Sequence, residues 1–217
     1  MSLITGSAKR LLVAIAHNDD LEFLCGGMLS MLSEQINSGE MDLFVLSFAV
    51  REENTGEPYQ ETVAAQDEAI AALGLKRYQK EYLKYRARFL PDFEDEVRLK
   101  LAEVVKKYDP DLVITHQSND LNQDHISLNQ QVKRVVRHAT ILGGEVPSTG
   151  KHLRCDAFFC VDEQAVGNKV NALSAFSREA SKAYFSDDII RAAAILRGAQ
   201  SQSFELAEAF EVIKVVL

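Results

Sequence analysis

Three short, dominantly apolar runs constrain this chain more than anything else in it: LLVAIA at 11–16, LFVLSF at 43–48 and LVIT at 112–115. A strand with one wet face alternates apolar and polar side chains, so a run without alternation reads as a strand covered on both faces. Each run is followed by helical periodicity. Residues 27–36 place Met28, Leu29, Met31 and Leu32 on one side, and the Ala-rich stretch 61–73 stops at Gly74. Residues 93–108 turn Val97, Leu101, Val104 and Val105 inward before Asp109-Pro110-Asp111 breaks the pattern. Further helices are expected over 126–139, 163–176 and 186–196, and further strands over 78–83 and 155–161. Strands alternating with helices imply a mostly parallel sheet with helices on both faces, joined by right-handed crossovers.

Composition narrows the class of function. The 217 residues suit one domain, 1–217, with 47% apolar and 26% charged residues as in ordinary globular proteins. A net charge of −8 without a basic run argues against nucleic acid or an anionic membrane surface as partner. The apolar run 11–16 is far short of the ~20 residues of a membrane span, so no transmembrane segment is expected. The opening MSLITGSAKR lacks the pattern of a signal peptide. Cys25, Cys155 and Cys160 are odd in number and form no CxxC pair, which points to a reducing, cytoplasmic setting.

In a parallel sheet, ligands bind beyond the carboxyl ends of the strands. The loop after the first strand reads Ala16-His17-Asn18-Asp19-Asp20-Leu21-Glu22, and the loop after 112–115 runs from His116 to Asp124-His125. If the two strands are neighbours, these polar clusters face each other. His17 and Asp20 can turn to one point, and His125 can add a third ligand. Two imidazoles and one carboxylate leave positions open for water, as in a catalytic zinc site. The same set suits iron(II), so one zinc ion is expected with iron(II) as the alternative. Asp19 is placed to take a proton from a water acidified by the metal. The bland alternative is that these aspartates only cap a helix. A dinucleotide site fits poorly, because there is no GxGxxG and two carboxylates would repel a phosphate.

The segment AHNDDLEFLCGGML resembles the AHPDD(I)E-x-x-(G)CGGTL signature of LmbE/PIG-L-type metal-dependent de-N-acetylases. Residues 111–116, DLVITH, resemble that family's PDLV-x-TH, residues 122–125, NQDH, its H-(P/Q)-D-H, and Arg197-Gly198 with 207–210, AEAF, its RG…AEAF ending. The resemblance implies a Rossmann-like three-layer α/β/α fold with a mostly parallel sheet. It implies a bound zinc and hydrolysis of an N-acetylated amino sugar, such as an N-acetylglucosamine glycoconjugate. It assigns His17, Asp20 and His125 to the metal and Asp19 to the general base. Asn122 replaces the histidine that the family uses as charged or proton donor, and Asp124 matches the residue that orients it. An amide supplies a neutral N–H but no proton at pH 7, and loss of general-acid help costs on the order of 10²–10⁴ in rate. The alternative is therefore a catalytically impaired homologue that still binds metal and sugar. Asn18 stands for the usual proline, and Ala65 for an arginine three residues before a glutamate, here Glu68.

Other polar residues have quieter expected roles. His116 is expected to make a structural hydrogen bond, His138 and His152 to be solvated, and Cys25 to behave as a small buried hydrophobe. Tyr82, Tyr85, Arg86 and Arg88 are expected either to form a sugar-stacking or carboxylate-binding wall or to belong to a helix surface or lid. Arg51, Glu52 and Glu53 read as a solvated charge run, and the AEAF stretch as packing. Assembly into an oligomer is admitted by the sequence.

Overall fold

The computed structural model describes residues 8–49, 59–150, 152–179 and 181–216. The charge run at Arg51, Glu52 and Glu53 lies outside the described residues. In chain order the elements begin with β1 (Arg10–His17), α1 (Asp20–Met31), α2 (Ser33–Ser38), β2 (Asp42–Ala49), α3 (Tyr59–Ala72) and β3 (Gln79–Tyr82). A 3-10 turn at Leu90–Phe93 leads into α4 (Glu94–Tyr108), β4 (Leu112–His116), α5 (Gln123–Val135) and β5 (Thr140–Gly144). The chain ends with β6 (Ala157–Cys160), α6 (Glu163–Ser174), α7 (Asp187–Ser201) and β7 (Ala207–Lys214). Seven strands form one sheet in the order β3-β2-β1-β4-β5-β7-β6. The first five are mutually parallel, and β7 runs antiparallel between β5 and β6.

Strand β1 shows why the apolar runs are continuous. Leu11, Val13 and Ile15 pack into a core with Met28 of α1, Ile70 of α3 and Leu173 of α6. Leu12, Ala14 and Ala16 point the other way, into a core with Leu101 of α4 and Leu128 and Val132 of α5. Alternate side chains of a strand point to opposite faces, so both parities must be apolar when both faces are covered. The result is the expected three-layer α/β/α architecture. Among the described residues no helix is long and apolar enough to cross a membrane.

Two strands and one helix start differ from the sequence reading. Strand β5 follows α5 where helix was expected to run on to 139 and a loop to begin at 143. It ends in Gly143 and Gly144, weak strand formers. They are required because a Cβ at Gly143 would lie 2.8 Å from Gln117 Cα, and one at Gly144 would lie 2.8 Å from the Leu24 carbonyl oxygen. Strand β7 is hidden because its alternation is broken by two buried carboxylates, Glu208 and Glu211. Helix α1 begins at Asp20 rather than at Gly27, and breaks its own geometry at Cys25, with φ −155° and ψ 22°. The amides of Gly27 and Met28 donate instead to the Glu208 carboxylate, at 2.8 and 2.7 Å. Buried N–H groups need partners, and the AEAF stretch supplies them across the sheet. Cys25 is buried, as is usual for a small hydrophobe.

Candidate active site

Strands β1 and β4 are parallel neighbours, with Leu11 opposite Leu112 and Val13 opposite Ile114. Strand order reverses here, since β1 continues outward to β2 and β4 to β5. The loops after β1 and β4 therefore leave the same edge of the sheet, side by side, at the point where such folds bind ligands. Local hydrogen bonds shape both. The Asp20 carboxylate accepts from the His17 amide at 2.7 Å and closes the first loop. In the second, the Asn122 backbone amide donates to Asp120 at 2.8 Å, and Asn122 Oδ1 accepts from the Asp124 amide at 2.9 Å as the N-cap of α5.

Three donor atoms from these loops close into a triangle. His17 Nδ1 lies 3.2 Å from His125 Nε2 and 3.2 Å from Asp20 Oδ2, and the third edge is 3.5 Å. A tetrahedral ion with ligands at about 2.0–2.2 Å sets its donors roughly 3.3–3.6 Å apart, so these residues fit a metal of the zinc class. The far side of each ring faces a carboxylate. His17 Nε2 lies 3.0 Å from Asp124 Oδ2, and His125 Nδ1 lies 3.2 Å from Asp120 Oδ2. Carboxylates behind ligating histidines fix ring orientation and tautomer. A second donor set, His116 with Asp120 and His125, shares the His125 ring. A neutral imidazole has one lone pair to offer, so the two sets are alternatives. Asp120 facing Nδ1 leaves Nε2 for the set built on His17 and Asp20.

Neighbouring carboxylates set the charge of the two imidazoles in the site. Burial opposes charge on His125, but Asp20 and Asp120 outweigh it and hold its pKa at about 9. His17 is half-buried, and Asp20, Asp124 and Asp19 raise it well above the ordinary imidazole value. Asp20, despite burial, is held well below the carboxylate range by His125, His116 and His17. Burial, with Asp20 adding to it, pushes Asp19 up to about 6. His116 is lowered by burial and by His125 to about 3. Its Nε2 accepts from the Ala16 amide at 3.0 Å, and its ring stacks on His125 with centroids 3.8 Å apart. Glu22, just behind Asp20, is wholly buried, which raises its carboxyl well above the usual range.

Above the donor set opens a pocket of about 440 Å³. Its floor is His17, Asp19, Asp20 and His125, and Asn122 and Arg88 form one wall. The α3 wall includes Thr62, Ala65 and Glu68, and the connection between α6 and α7 adds Phe176, Lys182 and Tyr184. Of the four residues expected as a wall or a lid, Arg88 lines this pocket. Tyr82 instead hydrogen-bonds Asp67 at 3.1 Å, Tyr85 packs on Phe48 and Phe93, and Arg86 lies over the Phe89 ring. Asp124 holds the Asn122 side chain through its backbone amide rather than its carboxylate. Its carboxylate serves His17 and the amides of Arg88 and Leu90. The sequence reading gave Asp120 no role, although its spacing of five residues before His125 was visible. It also missed the α6–α7 connection, which carries no motif.

The family model described as PIG-L: GlcNAc-PI de-N-acetylase matches residues 12–136, more than half of the chain. No curated protein matches. Among solved structures, the conserved protein TT1542 from Thermus thermophilus is 19% identical, with 95% of each chain covered and a TM-score of 0.73. The N,N'-diacetylchitobiose deacetylase from Pyrococcus horikoshii is 18% identical, with 96% of this chain and 85% of that one covered and a TM-score of 0.69. GalB, the 4-carboxy-2-hydroxymuconate hydratase of Pseudomonas putida, is 17% identical, with 96% and 98% covered and a TM-score of 0.70. These likenesses establish the fold, and a deacetylase and a hydratase share it.

Proposed function

The chain belongs to the PIG-L family of GlcNAc-PI de-N-acetylases, and from that premise we propose that it is a metal-dependent hydrolase removing an N-acetyl group from an amino sugar or glycoconjugate. The observation that carries this reading is the closed triangle of His17, Asp20 and His125, with Asp19 beside it on the pocket floor. A divalent cation held there, zinc or alternatively iron(II), would polarise the acyl oxygen and lower the pKa of a water to about 7. Asp19 accepts the proton of the attacking water and returns one to the departing amine, giving acetate and the free amino sugar. Asn122 donates its amide N–H to the acyl oxygen as charge grows there. Asp124 and Asp120 keep the two imidazoles in register. The walls from α3 and the α6–α7 connection hold the sugar. The whole chain, 1–217, acts as one such domain, in the cytoplasm and without a nucleic-acid or membrane partner.

A second reading, a homologue that binds metal and sugar but turns over weakly, is favoured by one observation. Asn122 spends its oxygen on the N-cap of α5, and the position holds no proton donor. Acetate release from N-acetylated sugars tests both. On the first reading, Asp19→Ala lowers release by about 10²–10⁴ while metal is retained, and wild-type turnover in that variant contradicts it. On the second, Asn122→His raises release by well over tenfold, and an unchanged rate contradicts it.

A further inference from the structure

The segment after β5 stands between two cavities. Val146, Ser148 and Thr149 line the pocket above the donor set. Glu145 and Pro147, alternating with them, line a second cavity of about 40 Å³ together with Phe23, Val161 and Ile190. One side of this wall therefore faces the candidate site, and the other faces a small void rather than close packing. A void offers its lining no contacts on that side, so packing alone holds such a wall poorly.

An ion pair holds it instead. Arg197 of α7 donates from Nε to one oxygen of Glu145 at 2.8 Å and from Nη2 to the other at 2.7 Å, while its Nη1 donates to Gln200 at 2.7 Å. The two side chains are only 16% and 18% exposed. A forked guanidinium–carboxylate pair fixes direction as well as distance, and shielding from water strengthens it. Glu145 directly follows β5, so the pair grips the wall at its root. Beyond it the segment closes on itself, with the amides of Thr149 and Gly150 donating to the Val146 carbonyl at 3.1 and 2.7 Å. The closed turn then meets the loop after β4. The Leu121 amide donates to the Thr149 carbonyl at 3.3 Å, and the adjoining Asp120 faces His125 Nδ1 at 3.2 Å. Hydrogen bonds and short backbone thus run without a gap from Arg197 to the His125 ring.

We propose that Glu145 and Arg197 are positioning residues, whose ion pair sets the wall 146–149 and through it the seat of Asp120 behind His125. This rests on the reading of His17, Asp20 and His125 as a metal site. Zinc titration of the folded, metal-free protein against a competing chelator tests it, with melting curves of the same samples. Glu145→Gln should weaken zinc binding about three- to tenfold. Arg197→Lys keeps the charge but loses the fork, and should weaken it less than Arg197→Met. Glu145→Leu combined with Arg197→Met leaves no unpaired charge, and apolar replacement of a buried pair is often neutral for stability. That double variant should melt close to wild type and still bind zinc more weakly, which a merely structural pair would not do. If Glu145 acts through Asp120, then Glu145→Gln should cost nothing further in an Asp120→Asn background. Wild-type zinc affinity in the double variant, or a Glu145→Gln effect undiminished beside Asp120→Asn, overturns the proposal. The Asp120→Asn arm decides by itself where the double variant does not fold. Zinc bound by wild type and Glu145→Gln alike, and lost in Asp20→Ala, overturns the positioning role and leaves the metal site. Wild type that binds no more zinc than Asp20→Ala overturns the metal site and the positioning role together.

Discussion

Two buried carboxylates do the same physical work in different halves of the sheet. Asp124, at the start of α5, accepts from the amides of Arg88 and Leu90 and contacts the imidazole of His17. Glu208, in β7, accepts from the amides of Gly27 and Met28 and from the ammonium of Lys169 at 2.7 Å. Each takes two main-chain N–H groups and one side chain, and each is almost wholly buried. They differ in the third partner. His17 belongs to the donor triangle, so Asp124 ties loop geometry to a candidate metal ligand. Lys169 belongs to α6, so Glu208 ties one helix to the kink of another. The same device supports chemistry in one place and architecture in the other. Burial and a hydrogen-bond list alone would not separate them.

The larger effect is expected at Glu208. Glu208→Ala leaves the buried amides of Gly27 and Met28 without their acceptor, and the Lys169 ammonium without its counter-charge though still bonded to the Phe23 carbonyl. Breaking one partner of a buried pair costs about 3–5 kcal/mol. Chemical denaturation should read a loss of that size, with metal content per folded chain unchanged. A Glu208→Ala protein that is stable but metal-free would mean the two carboxylates are not separate in role.

Asp124→Asn should behave in the opposite sense. It keeps the volume but turns an amide NH2 toward groups that are themselves donors. Losing a carboxylate behind a ligating histidine typically costs about 10–100-fold in metal affinity. Titration of the metal-free protein with zinc should show that weakening, with a smaller loss of stability than in Glu208→Ala. Unchanged zinc affinity would reduce Asp124 to a loop fastener and make the two regions equivalent.

The same contrast explains what was legible in the sequence. The parallel half could be read because covered strands force apolar residues onto both parities, as Leu11 to Ala16 show in the two cores. The candidate donor set could be read because His17, Asp20 and His125 are chemistry-bearing types in the loops that follow β1 and β4. In the antiparallel half β6 falls within the strand expected over 155–161, whereas β7 was not legible. Glu208 and Glu211 sit in β7 at positions that periodicity expects to be apolar, and the Ser118 amide donates to Glu211 at 2.6 Å from the loop after β4. Strand β5 was obscured by Gly143 and Gly144, whose selection reflects close backbone approach and leaves no periodic trace. Residues chosen for what they touch across the fold are invisible to local pattern, whereas residues chosen for which face they occupy are not.

The central claim is that His17, Asp20 and His125 form one metal site. The measurement that tests it most directly is metal content per chain, by elemental analysis of protein purified without chelator or polyhistidine tag, for wild type and Asp20→Ala. The account predicts close to one zinc or iron ion per wild-type chain and a large loss in folded Asp20→Ala. A wild-type protein that stays empty when both metals are offered, or an Asp20→Ala protein that keeps its full complement, would contradict it.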